Sequence, residues 1–392
     1  MSAPTHPFRV GLGEASGAVA DLGIFVPLAT ALILVNGLDA GAVLVCAGLL
    51  VISAGVVFQI PFPVQPLKAL TAIAVAQELS PATINAAGIE LGAILLLLTI
   101  GGTGARLSSW FTPPVIRALQ FGVGILLAIG AWRLIARPPA VFQGVPSRSW
   151  ILVLAVAAFL GVWMAARSGR SWFALVVLIA GIAATIVAAQ PDLAAPSLSL
   201  PSFAIPDTGA FASAFFLLVV PQIPLTFGNA VVAVDHLAHQ EFGERARRVS
   251  VPRVLLLGGV ANLVTGVLGG MPMCHGSGGL TAHVRLGAKT AGMNLLLGGT
   301  FLSLGLLFAG QVPALLGLLP VWVLGGFLAY AGLRHALLVT DLTGADLAVA
   351  IAAGALGAWL GNLAVTAGVA LVAVHARRLF GPNRRAPDTL NR

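Results

Sequence analysis

The stretch IPFPVQPLKALT, Ile60 to Thr71, decides the fold, because it places three prolines within six residues in the middle of a strongly apolar chain. Proline lacks a backbone N–H and disfavours helix in the residue before it, so the stretch is predicted to be extended, with a helix starting near Pro66 or Leu67. A second stretch, MPMCHGSGG from Met271 to Gly279, is predicted to be non-helical until its glycines give way to LTAHVRLGAK. Each stretch therefore offers a helix N-terminus aimed at the middle of the protein.

The composition identifies lipid as the solvent around these breaks. Of the 392 residues, 58% are hydrophobic and only 9% are charged, with a mean hydropathy of +0.99. A soluble domain carries about 25% charged residues, so this chain cannot cover a surface that faces water. Non-helical backbone at membrane depth persists only where it is buried in protein or lines a cavity. We therefore expect an all-α polytopic membrane protein whose broken segments are functional.

Apolar runs separated by turn residues or charges predict fourteen transmembrane segments. With the N-terminus inside, sixteen of the 21 Lys and Arg residues fall on the cytoplasmic side and three outside, as the positive-inside rule requires. This charge bias favours membrane orientation over nucleic-acid binding as the reason for the net charge of +8. We expect a multi-pass protein of the inner cell membrane with both termini in the cytoplasm. The predicted segments are 13–35, 40–60, 64–79, 81–101, 113–135, 150–167, 171–190, 208–237, 252–270, 275–289, 291–310, 313–333, 345–361 and 363–377.

The two halves of the chain resemble each other. Aligning Leu70-Thr71-Ala72 with Leu280-Thr281-Ala282 pairs the two broken stretches. Pro27-Leu28 likewise lines up with Pro224-Leu225, each inside a span interrupted by proline and glycine. Because seven is odd, two seven-span halves have opposite orientations, which is the inverted repeat of many transporters. The predicted divisions are a first repeat at 1–190, an external linker at 191–207, a second repeat at 208–378 and a short cytoplasmic tail at 379–392.

The polar residues of the broken stretches predict an anion site. Free N–H groups and the positive end of the helix dipole favour negative charge at a helix N-terminus, and glycines around Ser277 allow backbone amides to converge. The alternative is that these prolines and glycines only kink packed helices. The candidate ligand groups are Gln65, Lys68, Thr71, His275, Gly276, Ser277, Gly278 and Thr281.

A third interrupted segment, PQIPLTFGN from Pro221 to Asn229, contributes Gln222, Thr226 and Asn229 as candidate cavity-lining residues. Their alternative role is hydrogen bonding between helices. Ionisable residues inside spans are costly and are functional candidates by default, so Asp21 and Glu90 are predicted proton carriers. The alternative for Glu90 is an ion pair with Lys68 or Arg117.

No metal, cofactor or catalytic role is predicted. Asp235, His236 and His239 have metal-ligating side chains, but we interpret them as a solvated helix end at the cytoplasmic side. The patterns of zinc proteases, nucleotide-binding loops and nucleophile elbows are missing from the sequence, so it predicts a protein that is not an enzyme.

Four segments carry a family resemblance. ADLGIFVPLATAL from Ala20, PFPVQPLKA from Pro61, PQIPLTFGNAVVA from Pro221 and MPMCHGSGGLTAHVRLGAKT from Met271 resemble the signature segments of the molybdate transporter family, a relative of the sulfate permeases. The resemblance implies the seven-plus-seven fold of sulfate and uracil permeases, with a core domain of spans 1–4 and 8–11, a gate domain of spans 5–7 and 12–14, and half-helices in spans 3 and 10. It also implies a homodimer, and the short tail after the last span fits a family without the cytoplasmic STAS domain of sulfate permeases.

The resemblance and the site together predict a secondary active transporter of a tetrahedral oxyanion, molybdate first, working by alternating access with proton symport through Asp21 or Glu90. A sulfate or general oxyanion permease is the alternative within this class. Further alternatives are a passive anion channel and a nucleobase permease on the same fold. Uracil and xanthine permeases hold their base with carboxylates, whereas the corresponding segments here carry Gln222 and His275.

Overall fold

The computed structural model describes residues 6–140, 142, 144–168, 173–190, 195–203 and 205–380. Within these described residues, the first half of the chain forms eight α-helices and a two-residue strand. They are α1 (Leu12–Leu34), α2 (Ala40–Phe58), β1 (Gln65–Pro66), α3 (Lys68–Ala76), α4 (Pro81–Leu97), α5 (Thr103–Ser108), α6 (Pro113–Ala136), α7 (Arg148–Ser168) and α8 (Phe173–Ala189).

The described part of the second half forms ten α-helices and a second short strand. They are α9 (Thr208–Ala214), α10 (Val220–Leu225), α11 (Ala233–Phe242), α12 (Val251–Val267), β2 (Met273–Cys274), α13 (Ser277–Arg285), α14 (Gly292–Leu307), α15 (Val312–Gly317), α16 (Val321–Ala336), α17 (Gly344–Trp359) and α18 (Leu363–Phe380).

Four stretches of helix are long and apolar enough to cross a membrane, namely α1, α2, α6 and the continuous Val321–Asp341. Among the described residues the number rises to as many as seven if each of three bent helix pairs is counted as one span. The bends are 75° between Pro81–Leu97 and Ile100–Ser108, 107° between Thr226–Ala246 and Val251–Val267, and 98° between Gly292–Leu307 and Ala309–Gly317. Shorter apolar helices, including α17, account for further segments. The chain is thus an integral multi-pass membrane protein, and the count of fourteen spans stays a prediction.

The helices that surround the broken stretches pack closely in pairs. Helix α2 packs against α14, and α4 packs against α12. At the α2–α14 crossing, a Cβ atom added at Gly48 would lie 2.7 Å from the carbonyl oxygen of Gly298. Small residues are needed there because the two backbones touch, which is the usual way in which helices associate in a membrane. A second set, α6, α7, α16, α17 and α18, packs mainly within itself.

Both broken stretches are extended, as predicted, and they pair with each other. β1 lies antiparallel to β2, with Gln65 opposite Cys274 and Pro66 opposite Met273. Helix α3 begins at Lys68 after the N-cap residue Leu67, within two residues of the predicted start. Helix α13 begins at Ser277, so its glycines lie inside the first turn rather than before the helix.

Two buried asparagines satisfy the extended backbone, which has few strand partners. Asn294 of α14 accepts from the N–H of Phe62 at 3.0 Å and donates to its carbonyl at 2.7 Å. Asn262 of α12 likewise accepts from the N–H of Met273 at 2.9 Å and donates to its carbonyl at 2.8 Å. Because an unpaired backbone group is costly where water is absent, these side chains make the non-helical segments stable at this depth.

The proline-containing spans differ from the interruption that the sequence predicts. Helix α1 runs without a break through Pro27, and PQIPLTFGN also stays helical, with wider π-helical turns at Phe215–Val219 and Thr226–Val232 on either side of α10. Helix-breaking residues are tolerated in membrane helices when local π adjustments accommodate the missing hydrogen bonds. A π turn shifts the direction of the side chains that follow it, and such turns are frequent at functional sites.

The predicted linker contains no helix in its described part, 195–203 and 205–207. It lies against the end of α14, where the N–H groups of Ser197 and Ser199 donate to the carbonyls of Leu307 and Leu306 at 2.9 Å and 2.8 Å. Residues 191–194 and 204 of the linker, and the tail from 381 onward, lie outside the described residues.

Candidate anion-binding site

The antiparallel strand pair sets the relative direction of α3 and α13. Each helix follows its strand within three residues, so the two helices run away from the pair in opposite directions and their N-terminal ends face each other. The first amides of a helix have no partner inside it, and the dipole adds positive charge at the same end. Both helices are nine residues long. The arrangement gathers N–H groups that lack a partner within their own helix beside buried polar side chains.

Gln222 and Thr226 lie at the N-terminus of α3. The Oε1 atom of Gln222 accepts from the backbone N–H of Leu70 at 2.9 Å, and its Nε2 atom donates to the hydroxyl of Thr226 at 2.9 Å. The π turns around α10 therefore bring this pair onto α3. The sequence predicts Gln222 as a cavity-lining residue. In the structure its side-chain oxygen accepts from the N–H of Leu70, in the first turn of α3, and the N–H groups of Lys68 and Ala69 are left for a ligand.

Gln65 and Lys68 belong to a buried chain that reaches α1. Lys68 Nζ donates to Gln65 Oε1 at 2.9 Å, and Gln65 Nε2 donates to Asp21 Oδ1 at 2.7 Å. The other oxygen of Asp21 lies 2.9 Å from Nε2 of His283 on α13. Asp21 and His283 are 1% and 0% exposed, so water does not screen this pair.

The hydrogen bonds of His283 fix how many protons the pair holds. Its Nδ1 lies 2.8 Å from the carbonyl oxygen of Gly17, and since a carbonyl only accepts, Nδ1 carries a hydrogen. Nε2 and Asp21 Oδ2 cannot then both be acceptors at 2.9 Å. One proton therefore lies between them, as imidazolium with carboxylate or as imidazole with carboxylic acid, and the pair is neutral as a whole.

Ser277 and Asn229 lie together at the N-terminus of α13. Ser277 Oγ donates to Asn229 Oδ1 at 2.6 Å and lies 3.3 Å from Nε2 of His335 on α16. Thr281, one turn further along α13, lies 3.4 Å from the other ring nitrogen of His335. All four side chains are buried. The cluster joins α13 to a helix of the second packed set.

His275 occupies the extended segment before α13. Its Nδ1 lies 3.0 Å from the carbonyl oxygen of Pro63, and its ring stands edge-on to that of Phe62. Nδ1 is therefore the donor, and in the neutral ring Nε2 is an acceptor, so His275 can donate to an anion only as imidazolium. His275 Nε2 and the hydroxyl of Thr71 are buried without a hydrogen-bond partner among the described residues. Unsatisfied buried polar atoms of this kind call for a ligand or water.

The glycines of this segment have different roles. A Cβ atom at Gly276 would lie 2.5 Å from Gln65 Oε1, so a side chain at this position would displace the Gln65 amide. At Gly279 a Cβ atom would overlap the Gln65 amide and lie 2.7 Å from Pro63 Cβ. At Gly278 the nearest atoms are 3.6 Å away, which leaves space beside its first-turn amide.

Glu90 is separate from this cluster. Its Oε2 atom is buried without a hydrogen-bond partner among the described residues, whereas the side chain as a whole is half-buried on α4. The alternative pairing of Glu90 with Lys68 or Arg117 is wrong, since Lys68 bonds to Gln65 and Arg117 forms an ion pair with Asp341.

Asp235, His236 and His239 form no metal centre in the described part of the chain, where no three His, Cys, Asp or Glu side chains are grouped closely enough. Asp235 and His239 pair with each other, with 3.6 Å between Oδ1 and Nδ1.

Sequence reasoning missed His283 and His335. Each is brought to the site by a long-range contact, His283 to Asp21 across 262 positions and His335 to Ser277 across 58. The sequence offers one indirect signal for His283, which lies within the quoted segment MPMCHGSGGLTAHVRLGAKT. With the Asp21–His283 pair neutral, Lys68 and the first-turn amides leave the described cluster positive, and such a cluster can bind a compact anion.

The sequence comparisons agree on one group of proteins. The family described as "Molybdate transporter of MFS superfamily" matches residues 13–127 and 214–334. Molybdate transporter 1 of Arabidopsis thaliana is 30% identical to this chain, over 86% of the chain and 81% of the relative. Molybdate transporter 2 of the same plant is 31% identical, over 84% and 79%. Molybdate transporter 1 of Chlamydomonas reinhardtii is 29% identical, over 83% of each protein.

The structure is similar to two solved membrane proteins. The transmembrane domain of the cyanobacterial bicarbonate transporter BicA superposes with a TM-score of 0.60 at 18% identity, over 92% of this chain and 96% of that one. SLC26A9 superposes with a TM-score of 0.59 at 14% identity, over 95% of this chain and 66% of that one. The chain shares the fold of these proteins, which is the sulfate permease fold that the sequence predicts.

Proposed function

The chain belongs to the molybdate transporter family, and we propose that it is a secondary active transporter of a tetrahedral oxyanion, molybdate first. The observation that carries the proposal is the pair of opposed half-helices, α3 and α13, whose N-termini meet at a buried polar cluster. The names of the Arabidopsis and Chlamydomonas relatives favour molybdate. Sulfate, with the same charge and shape, is the second candidate, because backbone donors have no evident size filter.

The anion would lie between the two N-termini. The first-turn amides of α3 and α13, Gly278 among them, would replace its hydration shell, and Lys68 would contribute a charge. Ser277 would add its hydroxyl by turning its one hydrogen from Asn229 to the anion. Such preorganised donors are stronger in a site without water than in solution. Gln222, Thr226 and Asn229 would position the ends of the two helices, while Gln65 would hold Lys68 toward the site. His275 would contribute in its imidazolium form.

Transport would follow alternating access. The core domain, which carries α3 and α13, would move against a gate domain built on α6 to α8 and α16 to α18, and so expose the site to each side in turn. The contact between Ser277 and His335 of α16 crosses this boundary, so anion binding at α13 would change a contact with the gate helices. Fourteen spans in two inverted repeats, cytoplasmic termini, an inner-membrane location and a homodimer complete the proposal.

Proton symport would offset part of the charge of a dianion, and the Asp21–His283 pair is our choice of carrier. It holds one proton between two side chains, one on α1 and one on the half-helix α13. Removing that proton would place two acceptors in contact and break the link between α1 and α13, so proton release would alter the half-helix whose N-terminus binds the anion. Glu90 is the weaker candidate, because it lies outside the hydrogen-bonded cluster.

Counterflow in proteoliposomes tests whether the protein is a carrier. Vesicles loaded with unlabelled molybdate should take up labelled molybdate faster than empty ones, and the rate should saturate. An ion channel on the same fold would show neither effect. Labelled uracil serves as the negative substrate, and its exchange would favour a nucleobase permease.

A further inference from the structure

A second basic cavity lies away from the half-helix N-termini. It has a volume of about 210 Å³ and is lined by Trp163, Arg167, Arg285, Tyr330 and Arg334. These residues come from three helices. Trp163 and Arg167 lie on α7, Arg285 is the last residue of α13, and Tyr330 and Arg334 lie on α16. The cavity thus joins the C-terminal end of the half-helix to two helices of the second packed set.

The charges around the cavity are incompletely balanced. Arg285 donates to Glu241 at 3.3 Å, and this carboxylate pairs with one of the three guanidinium groups. Arg167 lies over the ring of Trp163, 4.9 Å from its centroid. Like charges that converge on one cavity are unfavourable unless an anion lies between them.

Two guanidinium nitrogens of the lining arginines also lack partners. The Nε atoms of Arg285 and Arg334 are buried without a hydrogen-bond partner in the described part of the chain. Buried polar groups in native proteins are nearly always satisfied, so orphaned guanidinium nitrogens indicate a group that accepts hydrogen bonds. The guanidinium fork matches the oxygens of a phosphate or similar oxyanion, to which it binds through two parallel hydrogen bonds.

We propose that this arginine pocket, Trp163, Arg167, Arg285, Tyr330 and Arg334, binds a phosphate or comparable tetrahedral oxyanion group that ties α13 to α7 and α16. The group belongs either to a free anion or to the headgroup of a phospholipid, which offers the same oxygens. The pocket is distinct from the transport site, since its arginine on α13 lies at the opposite end of that helix from Ser277. The proposal holds whatever anion the protein transports.

The test uses the full chain in two kinds of nanodisc. In phosphatidylcholine nanodiscs the protein is titrated with inorganic phosphate while tryptophan fluorescence is recorded. In nanodiscs with added phosphatidic acid, the lipid that the protein retains is counted by native mass spectrometry. Arg167→Gln combined with Arg334→Gln should weaken phosphate binding or reduce lipid retention at least tenfold. The matched control is Arg247→Gln with Arg253→Gln, two arginines that line a different surface beside Val56 and Val57, and it should change neither reading.

If the arginine variant loses affinity in the phosphate titration, the ligand is a free anion. If the variant differs from the wild type only in the amount of lipid retained, the ligand is a headgroup. Equal readings for the wild type and the arginine variant in both arms would overturn the proposal. Trp163→Phe provides a test that leaves every arginine in place. Where the ligand is a free anion, this variant should lose the fluorescence change while calorimetric binding of phosphate persists, and a fluorescence change that survives this substitution would place the anion elsewhere.

Discussion

Replacing Asp21 by asparagine isolates the proton held by the Asp21–His283 pair. An asparagine Oδ1 atom still accepts from Gln65, and its Nδ2 group donates to His283 Nε2 in the tautomer that Gly17 fixes. Both contacts persist between neutral groups and without the extra proton. We therefore expect Asp21→Asn to fold with a stability within about 1 kcal/mol of the wild type, because no buried group loses its partner.

The effect on coupling follows from the stoichiometry of the pair. If one proton moves with each anion, a gradient of one pH unit adds about 1.4 kcal/mol of driving force, which corresponds to about tenfold accumulation. The assay is molybdate uptake into proteoliposomes with the membrane potential clamped to zero and the outside made more acidic. The wild type should accumulate molybdate about tenfold per pH unit, and Asp21→Asn should equilibrate it without accumulation.

Glu90→Gln is the matched control, since it neutralises the other predicted carrier outside the cluster, and it should accumulate like the wild type. Accumulation by Asp21→Asn equal to that of the wild type would refute the assignment of the proton to this pair. Loss of accumulation in Glu90→Gln alone would transfer the role to α4. A wild type that ignores the pH gradient would remove proton coupling altogether.

Two further predictions concern the broken stretches. Gly279→Ala should weaken anion binding about tenfold, because the new Cβ displaces the Gln65 amide at an overpacking cost of about 1–3 kcal/mol. Gly278→Ala is the control and should bind the anion within about threefold of the wild type. Equal affinities of the two variants in calorimetry would contradict the role of Gln65. Asn294→Ala should lower the thermal unfolding midpoint, because it leaves the N–H and carbonyl of Phe62 buried and unpaired, at about 1–3 kcal/mol each, and an unchanged midpoint would show that water replaces the side chain.

The backbone breaks could be predicted from sequence because their cause is local. Proline dictates its own conformation and that of its neighbour, so the extended stretch and a helix start near Leu67 follow from IPFPVQPLKALT alone. The overall composition likewise identified a membrane protein. The prediction for Pro27 and for PQIPLTFGN was less accurate, because a helix can pass a proline or widen into π turns, and the choice between these depends on neighbouring helices.

The partners within the site could not be predicted, because they come from distant parts of the chain. Gln222 was a candidate because it is polar, but its role as an acceptor for the N–H of Leu70 depends on how the π turns orient it. His283 and His335 have no local pattern that links them to Asp21 and Ser277. The family resemblance is confirmed by the comparisons, whereas the hydrogen bonds that link these segments required the structure.

Isothermal calorimetry on the purified protein tests the central claim most directly, with molybdate, tungstate, sulfate and uracil titrated in turn into the wild type and into Ser277→Ala. We expect molybdate and tungstate to bind tightly and sulfate to compete weakly. In Ser277→Ala, affinity should fall about tenfold, since the hydroxyl at the N-terminus of α13 is lost. Binding of uracil without any oxyanion signal, or molybdate affinity unchanged by the substitution, would contradict an anion site between the two half-helices.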